Sequence, residues 1–179
     1  MLRHAPVLAA PGLCYGRTDL ACTDDATRSV AEAVAPTLPA DIDIFSSPLL
    51  RCTALAQAIA FVRPDLPSAI VDPRLAEMDF GAWEGQPWSD IGRVEFDAWM
   101  NDFADGRVGG DGESTRQFMD RVGAAWDHWR ASGRDALWVT HAGVMRATML
   151  LQSGVRCPID AAAWPQRAIA FGESMRFDS

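Results

Sequence analysis

Lysine is missing from this 179-residue sequence: all 16 basic residues are arginine. That absence excludes a Schiff-base enzyme, a cofactor held as a lysine imine, and a phosphate loop ending in Gly-Lys-Ser/Thr. Positive charge is scarce in total as well. With 24 acidic residues the formal net charge is −8, a poor balance for general nucleic-acid or anionic-membrane binding, since both need a basic face. An anionic ligand must therefore be caught locally. Cysteine is sparse: Cys14, Cys22, Cys52 and Cys157 form no Cys-x-x-Cys pair and no Cys/His cluster at zinc spacing, which argues against a disulfide scaffold and a zinc site. Long apolar runs are also lacking, both the signal-peptide kind and the stretch of about 20 residues that spans a membrane. A cytoplasmic protein with reduced thiols is the expectation.

What is present suits one domain over residues 1–179, since 49% of the chain is hydrophobic and the length can bury a core without staples. Apolar β-rich runs alternate with helical patterns, as in an α/β domain with a mostly parallel sheet. A strand is expected over Asp41–Ser46, then a helix with Ser47 as N-cap and Pro48 in its first turn, running to about Val62. Leu55, Ile59 and Val62 form its apolar stripe, and Arg51 lies on that same side, pointing inward. Ala69–Val71 and Ala136–Thr140 read as further strands. Helices are expected over Asp25–Ala35 (capped by Thr23 or Asp24), over Glu113–Ser132 and from Val144 to Gln152, with an irregular stretch over Asp72–Asp90. Arg167–Phe171 and Ser174–Phe177 read as terminal strand segments around Gly172.

His4 follows a very short apolar start and His141 a strong strand run just before a helix, and ligands of parallel α/β sheets bind at the carboxyl ends of strands. A lone histidine in such a place is more often structural. Two of them with Arg3 and an inward Arg51 favour an oxyanion, because guanidinium forks match phosphate geometry. His128, between Trp126 and Trp129, reads as structural or exposed.

Several segments resemble the signatures of the histidine phosphatase superfamily, the phosphoglycerate-mutase-like proteins. They are Arg3-His4, Ser46-Ser47-Pro48-Leu49-Leu50-Arg51, Asp72–Glu77 with Phe80–Gly85, Gly110–Ser114, and Thr140–Arg146. Any one alone is weak; together they recur in family order over nearly the whole chain. Cys14-Tyr15-Gly16-Arg17-Thr18-Asp19 is most similar to the α-ribazole phosphatase branch, whose members dephosphorylate α-ribazole phosphate in cobalamin assembly.

The resemblance implies a three-layer α-β-α sandwich around a mostly parallel sheet and a phosphatase that needs no metal or other cofactor. It implies His4 as the nucleophile forming a phosphohistidine, Arg3, Arg51 and His141 as holders of the phosphate oxygens, and Glu77 as general acid and then base. Glu84 is the nearest competitor for the acid role. Tyr15, Gly16, Arg17 and Ala142 are the substrate-contact candidates, although Arg17 reads equally well as a surface arginine. Trp83 and Trp88 have the best claim among the tryptophans to line a cleft, and Arg146 reads as a structural ion-pair partner. The expected partner is a small phosphorylated metabolite, with no nucleic acid and no membrane; the oligomeric state stays open, with a homodimer as one option.

The sequence also departs from the pattern. Ala5-Pro6-Val7 replaces the usual Gly, variable residue and Ser or Thr, and Ala142 replaces the commoner glycine after His141. Only Met1 and Leu2 precede the Arg-His pair, so the first strand, central in the family sheet, is expected to be truncated and His4 poorly supported. A phosphoglycerate mutase and an inactive phosphate-binding module stay open beside the phosphatase.

Overall fold

A computed structural model describes residues 1–178. Four parallel strands form one sheet in the order β1-β4-β2-β3: β1 (Leu2–Arg3), β2 (Asp43–Ser46), β3 (Ile70–Val71) and β4 (Ala136–Thr140). Five α-helices accompany it: α1 (Asp24–Val34), α2 (Leu50–Val62), α3 (Arg93–Asn101), α4 (Thr115–Ser132) and α5 (Ala142–Gln152).

The two-residue period of β4 sets the layers. Leu137 and Val139 pack with Leu2, Ile44, Leu55 and Ile59 in the core that also holds Ala31 of α1. Trp138 points the other way, into a core with Phe118, Val122, Val144 and Leu151 of α4 and α5. Alternate residues of one strand thus serve two apolar layers, which is what a sheet covered on both faces requires. The result is the α-β-α sandwich expected from the sequence.

Several local expectations need correction. Ser47 does not cap α2; the N-cap position is Leu49, without a side-chain cap, and Asp19 Oδ1 accepts from Leu50 N at 2.7 Å in its place. The Ser47 hydroxyl is drawn elsewhere, as described below. The α4 helix starts two residues later than expected, behind Ser114, which forms a reciprocal capping box with Gln117. Helix α3 adds to the elements expected from the sequence: Val94 is 83% exposed, so its apolar residues do not fall on one clean stripe. The terminal segments Arg167–Phe171 and Ser174–Phe177 are not strands, and only an isolated antiparallel bridge joins Leu2 to Ser174.

That bridge bears on β1. The strand has two residues and ends the sheet order rather than lying inside it. It is nonetheless bonded on both sides: Leu2 and Arg3 register with Val139 and Thr140, while Arg3 N donates to Glu173 O (3.0 Å) and Met175 N to Met1 O (2.8 Å). His4 itself continues the pattern, its N–H donating to Thr140 O and its carbonyl accepting from Gly172 N. Gly172 turns there at φ +71°, a conformation that favours glycine. His4 therefore has a held backbone despite the short strand.

Candidate active site

The carboxyl ends of β1, β2 and β4 carry His4, Ser47 and His141 into one buried cluster. The two imidazole centroids are 5.2 Å apart in an edge-on arrangement, and both rings are almost fully buried. His4 Nδ1 lies 2.7 Å from the Ala5 carbonyl. A carbonyl only accepts, so Nδ1 carries the proton and Nε2 of the neutral ring is bare. Burial, reinforced by the nearby positive charge of Arg51 and Arg3, pushes the His4 pKa from 6.5 down to about 3; the ring is neutral at ordinary pH.

His141 takes the opposite tautomer. Arg51 Nε donates to its Nδ1 at 3.3 Å, so the proton resides on Nε2, which donates to Ser47 Oγ at 2.8 Å. Its burial, with the charge of Arg51 next, holds the pKa well below the usual histidine value. The hydroxyl missing after the Arg-His pair is thus present at the cluster on another residue, Ser47.

Arg51 is fully buried, as its place on the α2 stripe foretold. Besides His141 it donates from Nη1 to Thr18 O (2.8 Å) and from Nη2 to Gly16 O (2.6 Å). Arg3 donates to Ile169 O at 2.5 Å, and its guanidinium lies 3.8 Å over the Phe171 ring. The two arginines and two histidines are brought together; the Arg51 donors are turned onto protein acceptors, whereas Arg3 Nε is buried without a partner among the described residues. Tyr15 joins them, its ring 5.4 Å from the Arg51 guanidinium carbon. Arg17 does not: it is exposed and pairs with Asp79 at 3.4 Å. Ala142 opens α5 and is buried in a small apolar cluster with Met145 and Ile169.

Glu77 reaches the cluster from a separate strap. Its Oε2 accepts from Gly143 N at 3.0 Å, in the first turn of α5 just after His141. Only glycine permits that approach, because a Cβ at Gly143 would stand 2.1 Å from Glu77 Oε1. The strap is fastened by Arg121 of α4, which donates to the carbonyls of Arg74, Ala76 and Glu77 and pairs with Glu113 at 2.7 Å. Glu113 in turn accepts from Asp79 N.

Glu84 has a different task from the one considered for it. Its carboxylate accepts from the backbone N–H groups of Gly16, Arg17, Thr18 and Phe80 at 2.9–3.1 Å, and from the Thr18 hydroxyl. Burial works against its charge, but these bonds win and hold its pKa below the ordinary carboxylate range. A carboxylate so occupied has no proton to give. Gly16 is required here too, since a Cβ would fall 1.8 Å from Met78 O.

Among the described residues Arg146 forms no ion pair; it donates to the Arg167 carbonyl at 3.1–3.3 Å. His128 is exposed on α4. Trp88 lines a cavity beside Glu77, whereas Trp83 is buried behind it. Among the described residues, no group of three or more His, Cys, Asp or Glu side chains is placed to hold a metal ion, and no helix is long and apolar enough to cross a membrane.

The chain matches the histidine phosphatase superfamily (branch 1) over residues 1–163 and belongs to that family. Its fold is similar to that of a phosphoglycerate mutase from Thermus thermophilus, at 28% identity and a TM-score of 0.66, covering 89% of this chain and 86% of that one. It is also similar to a mycobacterial glucosyl-3-phosphoglycerate phosphatase, at 25% identity and a TM-score of 0.72, over 89% and 79% of the two chains. The α-ribazole phosphatase from Shigella flexneri shares the fold at 23% identity and a TM-score of 0.73, over 86% and 78%. No curated protein matches. Family and neighbours support phosphatase or mutase activity.

Proposed function

We propose that the protein hydrolyses small phosphate monoesters through a phosphohistidine on His4. The observation that carries this reading is the buried, neutral His4 ring, whose Nδ1–H is fixed on Ala5 O so that Nε2 is left as a nucleophile. Nε2 attacks phosphorus in line as the bond to the alcohol oxygen breaks. Arg3, Arg51 and His141 carry positive charge or N–H donors against the equatorial oxygens, with Tyr15 packed against Arg51. For Arg51 to do so, the incoming phosphate oxygens take the place of the Gly16 and Thr18 carbonyls. Guanidinium groups supply here the charge that a metal supplies in other phosphoryl transfers.

Glu77 is the proton donor to the leaving oxygen in the first step and the base that activates water in the second. It sits against the backbone beside His141, and Glu84, the other candidate, is consumed by the Gly16–Thr18 loop. Such a proton transfer is worth about 10²–10⁴ in rate. Ala142, at the start of α5, is assigned to substrate contact through the helix N-terminus that it opens. The substrate is a small phosphorylated metabolite, met in the cytoplasm without nucleic acid or membrane, and α-ribazole 5′-phosphate is the particular one that the Cys14–Asp19 hexapeptide favours.

Trapping tests the reading. Rapid acid-free quenching of the enzyme with a labelled phosphate monoester should yield a base-stable, acid-labile phosphoenzyme that His4→Ala does not form. Inorganic phosphate should be released from α-ribazole 5′-phosphate with chelator present. Isomerisation of 3-phosphoglycerate without net phosphate release would instead establish a mutase, and absence of any phosphoenzyme would leave a phosphate-binding module.

A further inference from the structure

The C-terminal segment lies beyond residues 1–163, over which the chain matches its family, yet it reaches Arg3 and His4. Ala170, Phe171, Gly172 and Glu173 form a β-turn closed by Glu173 N, which donates to Ala170 O at 3.1 Å. The Glu173 carboxylate tightens it: Oε2 accepts from Ala170 N at 2.7 Å, and Oε1 pairs with Arg167 at 2.6 Å. The turn is also fastened to β1 and the residue after it, since Arg3 N donates to Glu173 O at 3.0 Å and Gly172 N to His4 O at 3.2 Å. A turn held in this way presents the Phe171 side chain in a fixed place.

That side chain is apolar and 39% exposed at a turn tip, where small and polar residues are the rule. What it covers is not apolar core. The Arg3 guanidinium carbon stands 3.8 Å from the ring centroid, and the His4 ring lies 5.5 Å away between centroids. The first distance is well inside the roughly 6 Å reach of a cation–π contact. A ring on the flat face of a guanidinium takes up none of its N–H groups, which lie in the plane and stay free for an anion.

The two arginines of the cluster show why such a hold is needed. Arg51 is fixed by hydrogen bonds from Nε, Nη1 and Nη2. Arg3 is anchored from Nη1 on Ile169 O at 2.5 Å, while its Nε is buried without a hydrogen-bond partner among the described residues. An anchor at one nitrogen leaves the guanidinium plane able to turn about that bond. A ring face laid against the plane stops the turn. Ile169 and Phe171 are close neighbours in the chain, so one segment grips Arg3 by its edge and by its face.

We propose that Phe171 is a positioning residue of the phosphate site, holding the Arg3 guanidinium at the angle at which its in-plane N–H groups meet the oxygens of a phosphoryl group on His4. The inference rests on the reading of Arg3 and His4 given above and adds to it a residue that acts through Arg3.

Phe171→Leu keeps apolar bulk and removes the aromatic face, whereas Phe171→Tyr keeps the face. With 4-nitrophenyl phosphate, Phe171→Leu should lower kcat/KM about tenfold, the scale of a partly desolvated cation–π contact, and Phe171→Tyr should stay within about twofold of the native protein. In an Arg3→Ala background, Phe171→Leu should cost less than about twofold, because the ring has nothing left to hold. A ring that merely supported the fold would cost the same in both backgrounds. Phe171→Met is a second ringless variant that reports if Phe171→Leu fails to fold, as judged by its urea midpoint. A loss below about twofold, a loss that Phe171→Tyr shares, or a loss retained in Arg3→Ala overturns the assignment. If phosphoenzyme trapping fails, the phosphatase reading falls and calorimetric affinity for inorganic phosphate decides on Phe171 in its place. Binding weakened about tenfold in Phe171→Leu and restored in Phe171→Tyr upholds the assignment, and equal affinities overturn it.

Discussion

On one side of Glu77, His4, His141 and Arg51 are almost wholly buried, and each of their ring and guanidinium nitrogens except His4 Nε2 meets a partner. On the other side, a cavity of aromatic rings leaves the Thr115 hydroxyl and the Trp99 indole N–H unmatched. The first region is assembled from strand ends and the helix starts that follow them, so the backbone itself fixes its geometry. The second is assembled from loop and helix side chains drawn from distant segments. The residues proposed for the chemistry are thus tied to the sheet, while the cavity is tied to side-chain packing that can change without disturbing the sheet.

Removing the nucleophile is the hardest test of the first region. His4→Ala should lower turnover by roughly 10⁴-fold or more, read as initial phosphate release; a variant within tenfold of the native rate would place the nucleophile elsewhere. Glu77→Gln stands between the two regions and should discriminate by leaving group. With alkyl phosphates the loss should be about 10²–10⁴, and with an aryl phosphate, whose leaving oxygen needs no proton, much less. Because both esters share the water-activating step, the comparison is made on the rate of phosphoenzyme formation, and a uniform loss in that step would show that Glu77 acts there by position alone.

Arg51→Ala should cost about 10²–10³ in kcat/KM, the usual loss for one donor to a transferring oxyanion. An effect on KM only would mean that Arg51 holds substrate and transition state equally. Glu84→Gln is expected to act more mildly, because it removes a charge that accepts from Gly16, Arg17, Thr18 and Phe80 rather than one that meets substrate. Leaving buried donors poorly matched costs roughly 1–3 kcal/mol, so the urea midpoint should drop. A variant as stable as the native protein would deny that carboxylate its structural role.

The smallest effect is that of pH on stability. His4 in the folded protein has its pKa lowered from 6.5 to about 3, and His141 is lowered as well. Between those values the unfolded chain binds more protons than the folded one, so acidification favours unfolding. The histidine contribution is fully present above about pH 6.5 and is lost as pH falls toward 3. Chemical denaturation at about pH 7.5 and about pH 5 should show the decline, and His4→Ala should flatten part of it.

Much of the first region was legible in the sequence, because its residues obey local rules. Arg51 was placed inward by its spacing from Leu55, and it is fully buried. His141 follows the apolar run Ala136–Thr140, which forms β4 with those bounds. The members that were missed act through long-range contacts without a periodic signal. Asp19 caps α2 from another segment, Arg121 secures the Glu77 strap from the middle of α4, and Gly143 matters for the room it leaves. The second region was less legible still. Trp88 was singled out, but Trp99, Phe103 and Thr115 converge only through the placement of α3, whose mixed exposure hides it from pattern reading.

The Gly16 and Thr18 carbonyls on Arg51 have a consequence for affinity. On the proposed reading they occupy donors that a phosphate would need, so the loop would act as an intramolecular competitor, held in place by Glu84, which accepts from its Gly16, Arg17 and Thr18 N–H groups. An inhibition constant measured for vanadate or inorganic phosphate then reports intrinsic affinity reduced by the fraction of protein whose Arg51 is free. On the same reading the competition would also favour product release. Carbonyls that returned to Arg51 after turnover would displace the product, and a weaker loop would then bind phosphate more tightly and release it more slowly.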